Sequence, residues 1–115
     1  MALSHHADLE LMAGDDFDIG ARLLRPDGSA YDLSDASVVW VLRGPDGLPA
    51  LQAGQFAIKV SSPPTAGLIV VSVPSAATAA LRPGRYMDAL RATDAAGTDT
   101  FWTGMISVSP NPWGQ

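Results

Sequence analysis

Ser37-Val38-Val39-Trp40-Val41-Leu42-Arg43 decides the architecture. The run is short, rich in β-branched residues and almost wholly apolar, with one large ring in the middle. A helix would need to be apolar on every side to carry it. A central strand of a sandwich, or a strand of a barrel, carries it naturally. Trp40 is then the ring around which two sheets close, because a buried indole removes well over ~150 Å² from water.

The segments on either side read the same way. Phe17, Ile19, Ala21 and Leu23 alternate with Asp16, Asp18, Gly20 and Arg22, the pattern of a strand with one dry and one wet face. A shorter alternation at Asp8 to Met12 predicts a first strand. Arg25-Pro26-Asp27-Gly28 and Gly44-Pro45-Asp46-Gly47 have the residues of type I turns. Between them, the loop Tyr31 to Ala36 delivers Leu33 to the core.

Downstream, Leu48 to Gln52 and Gln55 to Val60 predict weaker strands, with Phe56, Ile58 and Val60 as the buried set of the second. Pro49 confines the first to an edge. Leu68 to Val73 reads as a strand buried on both faces for most of its length. Pro74 to Leu81 is alanine-rich, with Ser75 placed as an N-cap, and predicts a helical turn or two over 75–81. Tyr86 to Thr93, an Asp94-to-Gly97 turn and Thr98 to Ser109 complete a final hairpin.

About seven to nine short strands, with turn signals every ~10 residues, indicate an all-β, immunoglobulin-like β-sandwich, a barrel being the alternative. Leu81 to Tyr86 supports the sandwich. A tyrosine opening a strand just after a crossing is where a tyrosine corner sits. The organisation expected is an N-terminal segment over 1–13, the sandwich over 14–109 and a tail over 110–115.

Composition excludes several kinds of chemistry. The chain has 115 residues, 47% of them hydrophobic, and no cysteine, so no disulfide or thiolate metal site is possible. A net charge of −5, with seven scattered basic residues, argues against a nucleic-acid partner. No apolar run approaches the ~18 residues of a membrane span, so no membrane partner is expected. His5-His6 reads as tail, since adjacent residues of an extended chain point opposite ways and nothing completes a ligand set. Asp27, Asp46 and Asp94 read as turn residues that bond local backbone. The acidic stretch Asp15, Asp16 and Asp18 lacks the loop that calcium needs. Neither a nucleophile elbow nor a glycine-rich phosphate loop occurs. No enzymatic activity, catalytic residue, metal or cofactor is therefore expected.

One strip stands out. If Trp102, Ile106 and Val108 face inward, alternation turns Phe101 and Met105 outward as a dry strip. Trp113, beyond Pro110 and Pro112, reads either as a loose tail or as an anchor on a partner. Phe101, Met105 and Trp113 are the candidate partner-binding residues.

The run Gly14-Asp15-Asp16-Phe17, then Pro26-Asp27-Gly28, then Tyr31-Asp32-Leu33-Ser34-Asp35-Ala36 and Trp40 resembles a family of small immunoglobulin-like virion structural proteins. These belong to tailed bacteriophages and prophages and are similar to the N-terminal module of phage baseplate proteins. Pro74 to Tyr86 resembles the family's later alanine- and threonine-rich turn followed by P-G-x-Y. The likeness spans residues 14–108, and its motifs are turns and core positions. It implies a non-enzymatic assembly module of the tail, baseplate or head decoration. Such a module is made in the host cytoplasm, located in the virion and held there by other virion proteins or further copies of itself. The alternative is a carbohydrate- or host-surface-binding module, whose mark would be exposed aromatics. One departure is notable: the family often has an inward aromatic where this chain has Asp88. Either a bulge shifts the register there, or Asp88 lies near the sheet end in water.

Overall fold

The computed structural model describes residues 4–5, 8–25, 27–52 and 54–110. Eight strands are present among these residues: β1 (Ser4–His5), β2 (Leu9–Met12), β3 (Phe17–Arg22), β4 (Ser37–Arg43), β5 (Ala57–Val60), β6 (Leu68–Val73), β7 (Gly84–Asp94) and β8 (Gly97–Ser109). The larger sheet runs β1-β8-β7-β4, with β2 also on β8; the smaller runs β3-β6-β5. Both β1 and β2 pair with β8 in parallel, so the larger sheet already includes residues before Gly14. All other strand pairs are antiparallel.

Inward residues of the two sheets meet as alternation predicts. Ile19 from β3, Trp40 and Leu42 from β4, Ile69, Val71 and Val73 from β6, Tyr86 and Leu90 from β7, and Trp102, Ile106 and Val108 from β8 form one buried cluster. Phe17 is half-buried against it, and the loop residues Tyr31 and Leu33 are buried in it. The ring of Phe56 meets Trp40 edge-on at 5.1 Å. Gly67 lets the β3–β4 loop close over this core. Its φ is +71°, and a Cβ there would stand 2.6 Å from the Leu23 carbonyl oxygen. The Leu23 N–H donates to the Gly67 carbonyl at 2.7 Å, across that close approach.

Tyr86 forms the corner. Its hydroxyl donates to the Arg82 carbonyl at 2.7 Å, pinning the crossing from the smaller sheet to the larger. With Trp40 buried on β4 and the first strands parallel to the last, this is an immunoglobulin-like β-sandwich. Removing the corner hydroxyl in Tyr86→Phe should cost ~1 kcal/mol, the net worth of one such bond. Urea unfolding would register it as a lower midpoint at unchanged slope. An unchanged midpoint would mean that the corner adds nothing to stability.

Asp88 sits where neither sequence alternative placed it. It lies in mid-strand and is fully buried, and the register slips only between Leu90 and Arg91. The indole N–H groups of Trp40 and Trp102 both donate to its Oδ2, each at 2.9 Å. In disulfide-bonded immunoglobulin domains the second cysteine comes two residues after the corner tyrosine, and its disulfide packs against a buried tryptophan of the same sheet. Asp88 is two residues after Tyr86 and bonds Trp40. An aspartate side chain held by two indoles thus stands at the disulfide position of a chain that has no cysteine.

Other details depart from expectation. β4 is the outermost strand of its sheet and not a central one. Leu48 to Gln52 forms no strand, only a bridge between Pro49 and Arg43 and a bond from the Ala50 N–H to the Leu42 carbonyl. The prolyl nitrogen, lacking a proton, cannot carry the ladder further. Val60 is 43% exposed, because it ends β5 at the open edge of the smaller sheet. The helical turn α1 (Ser75–Thr78) is shorter than predicted and takes Pro74, not Ser75, as N-cap. The N–H of Ser75 donates instead to Asp16 Oδ1 at 2.8 Å. Thr78, fully buried, ties the turn to the chain before β3: its hydroxyl donates to the Asp15 carbonyl and accepts from the Gly14 N–H.

Candidate interaction surface

Alternation leaves β4, β7 and β8 each with a second face, turned away from the core. On β4 these residues are Val39, Val41 and Arg43; on β7, Arg85, Met87, Ala89 and Arg91. Their registers stack them in rows: Val41 beside Ala89 and Val39 beside Arg91, and Met87 beside Met105. The solvent face of a two-layer sandwich is normally polar. Here the part of it over β4 and β7 is aliphatic and thioether, with Met87 55%, Val39 41% and Val41 39% exposed. The feature that made 37–43 read as a central strand has this origin. Both faces of β4 are apolar, and only one of them is covered by the protein's own core.

The charge of this face also differs from that of the chain. Three of the seven basic residues, Arg43, Arg85 and Arg91, stand on it, in a protein of net charge −5. Arg85 is 3.6 Å from Asp8, an exposed pair. Arg43 donates one N–H to the Gly47 carbonyl at 2.9 Å. Arg91 is exposed and has no carboxylate partner among the described residues. A depression of about 280 Å³ is lined by Val39, Val41 and Ala89 together with Arg43, Arg91 and Thr100.

The candidates read from sequence fare differently. Met105 is half-buried on the outer face, beside Met87. Phe101 does not share that face as simple alternation implies. Leu90 pairs with Trp102 and Arg91 with Thr100, so Phe101 is the extra residue of a bulge. Its ring turns toward the loops and meets Tyr31 edge-on at 5.0 Å. Trp113 lies outside the described residues. Val39, Val41 and Met87, outward residues of β4 and β7, are not among the candidates that the sequence offers; in β4 an unbroken apolar run does not distinguish its two faces.

The loop end around Tyr31 is a closed cluster. The Arg25 guanidinium carbon sits 4.8 Å from the Tyr31 ring centre. The Tyr31 hydroxyl donates to Asp94 Oδ2 at 3.0 Å, and that bond leads the interactions holding the Asp94 carboxyl below the usual aspartate range. Burial, then the same bond, pushes the Tyr31 phenol up. The turn aspartates act locally, as expected. Asp27, Asp46 and Asp94 each accept the N–H two residues on, from Ser29, Leu48 and Ala96. The Ser29 bonds hold the Asp27 carboxyl below its ordinary range as well.

No protein-family model matches the sequence, and no curated protein matches it. Solved structures do resemble it in fold. CopC from Methylosinus trichosporium OB3b is similar over 91% of this chain and 86% of its own, at 14% identity and a TM-score of 0.51. The RIG-5 IG1 homodimer is similar over 90% of each chain, at 12% identity and a TM-score of 0.48. The N-terminal Ig1-2 module of the Drosophila receptor protein tyrosine phosphatase DLAR is similar over 95% of this chain and 48% of its own, at 9% identity and a TM-score of 0.47. At these identities the likeness concerns the fold alone.

Proposed function

We propose that this chain is a non-enzymatic assembly module of a tailed bacteriophage particle, working by protein–protein contact in the tail, baseplate or head decoration. Two separate things support this reading: the sequence resemblance over residues 14–108 and the apolar outer face of the larger sheet. The face carries the argument for contact. Exposed aliphatic and methionine side chains gathered on one face of a sheet cost solubility, and on soluble domains such patches mark interaction sites. Methionine suits the role, since its flexible thioether adapts to a partner's surface. The rival reading, a carbohydrate-binding module, needs exposed aromatic rings. Every Trp, Tyr and Phe among the described residues is buried or half-buried.

The test is incorporation. Particles are purified from a host carrying the gene with its neighbours, and their proteins are quantified by mass spectrometry. The chain should be present at a fixed ratio to the other particle proteins. Val41→Glu, exposed and therefore tolerated by the fold, should reduce that ratio at least tenfold. Particles that lack the wild-type chain altogether would refute the proposal.

A further inference from the structure

We propose that the outer face of the larger sheet receives an extended, acidic segment of a partner protein, lying in the depression over Val39, Val41 and Ala89 with a carboxylate against each of Arg43 and Arg91. The inference rests on the reading of this chain as a contact module and names the chemistry of what it contacts.

The argument starts from spacing. Arg91 is paired with Val39, four positions before Arg43 on the neighbouring strand (43 − 39 = 4). At ~3.3 Å per strand residue the two positions lie about 13 Å apart along the sheet. An extended peptide advances by the same step and shows every second side chain to one side. Carboxylates four residues apart would therefore reach both arginines, while the side chain midway between them meets Val41 and Ala89. Along the strands, apolar Val41 and Ala89 lie between the levels of cationic Arg43 and Arg91, which calls for an apolar centre and acidic ends.

Charge also decides between occupants. A second copy using this same face would form an isologous contact, in which each patch meets itself. With its two-fold axis through the depression, that arrangement brings Arg43 and Arg91 of one copy toward those of the other. Guanidinium groups pair with carboxylates in a bidentate fork, and Arg91 has no such carboxylate among the described residues. Arg43 gives one N–H to Gly47, which leaves the rest of its five-donor fork for a partner.

The test uses the full chain, labelled with ¹⁵N and with ¹³C at methyl groups. One probe is a synthetic peptide of alternating threonine and valine bearing two aspartates four residues apart; the other is its twin with lysines instead. At low salt the aspartate peptide should bind at least tenfold more tightly than its twin, shift the Val39 and Val41 methyl signals, and weaken as salt is added. Arg43→Gln combined with Arg91→Gln should abolish the preference without lowering the melting temperature. Equal binding of the two peptides, or shifts confined to other parts of the molecule, would overturn the inference. So would a wild-type dimer in sedimentation that Val41→Glu dissolves, because the occupant would then be a second copy. Incorporation into particles is measured separately. A chain that enters particles yet ignores the acidic peptide refutes this inference and leaves the assembly role standing.

Discussion

Replacing Asp88 with alanine should cost about 2–5 kcal/mol, more than any other exchange of an acidic residue in this protein. The substitution strands two indole N–H groups, those of Trp40 and Trp102, which now share Asp88 Oδ2 inside the core. A buried donor left without an acceptor costs about 1–3 kcal/mol. The loss of this polar side chain's own desolvation cost offsets part of this, which sets the lower end of the range. Asp88→Asn keeps an acceptor oxygen and should lose less than alanine does. For a domain of this size the alanine variant should melt on the order of 10 °C lower. Asp35→Ala, on the exposed surface, is the control and should stay within about 0.5 kcal/mol. If Asp88→Ala melts with the wild type, the two indole bonds contribute nothing net.

Trp40→Ala should be of similar or larger effect, ~3–5 kcal/mol, as large aromatic truncations are. It removes the ring that Phe56 meets edge-on and the indole N–H that Asp88 accepts. Trp40→Phe separates these contributions, keeping most of the ring and deleting the donor. Its cost should be about 1–3 kcal/mol. Pairing it with Trp102→Phe is informative, because both donors meet the same oxygen and the two losses should not add. Chemical denaturation of the four proteins of that cycle gives the coupling directly. A loss below ~1 kcal/mol for Trp40→Ala would show that the core does not depend on this ring.

The contrast between Trp40 and Asp88 explains what could be read from the chain. Trp40 lies amid valines, and a ring in such a run has only one sensible place. Tyr86, after Arg82-Pro83-Gly84, had a local signature as well, and its bond reaches only four residues back. Asp88 had none. Alternation turns it inward and its charge argues for water. The donors that resolve the conflict lie 48 and 14 residues away in sequence. Phe101 failed for a different reason. A bulge adds one residue to one strand, and the Thr98-to-Thr103 segment has no glycine or proline to announce it. The candidate surface was half legible: the apolar run of β4 was plain, but five apolar residues in succession, Val38 to Leu42, do not say which face meets the core. Only the packing of the two sheets shows that Trp40 and Leu42 face the core while Val39 and Val41 stay exposed.

The parallel pairing of the first strands with the last also governs how the protein carries force. Leu9 to Met12 lie alongside Ile106 to Ser109, running the same way, and the Ala13 N–H extends the contact to the Ser109 carbonyl. The chain therefore enters this ladder at one end and leaves it at the other. A pull on the two ends of the polypeptide draws β2 and β8 in opposite directions along their length. The hydrogen bonds between them then share the load and must slide together, whereas an antiparallel hairpin pulled at its open end yields one bond at a time. Tension along the chain meets the domain in shear, the geometry in which a short ladder resists most.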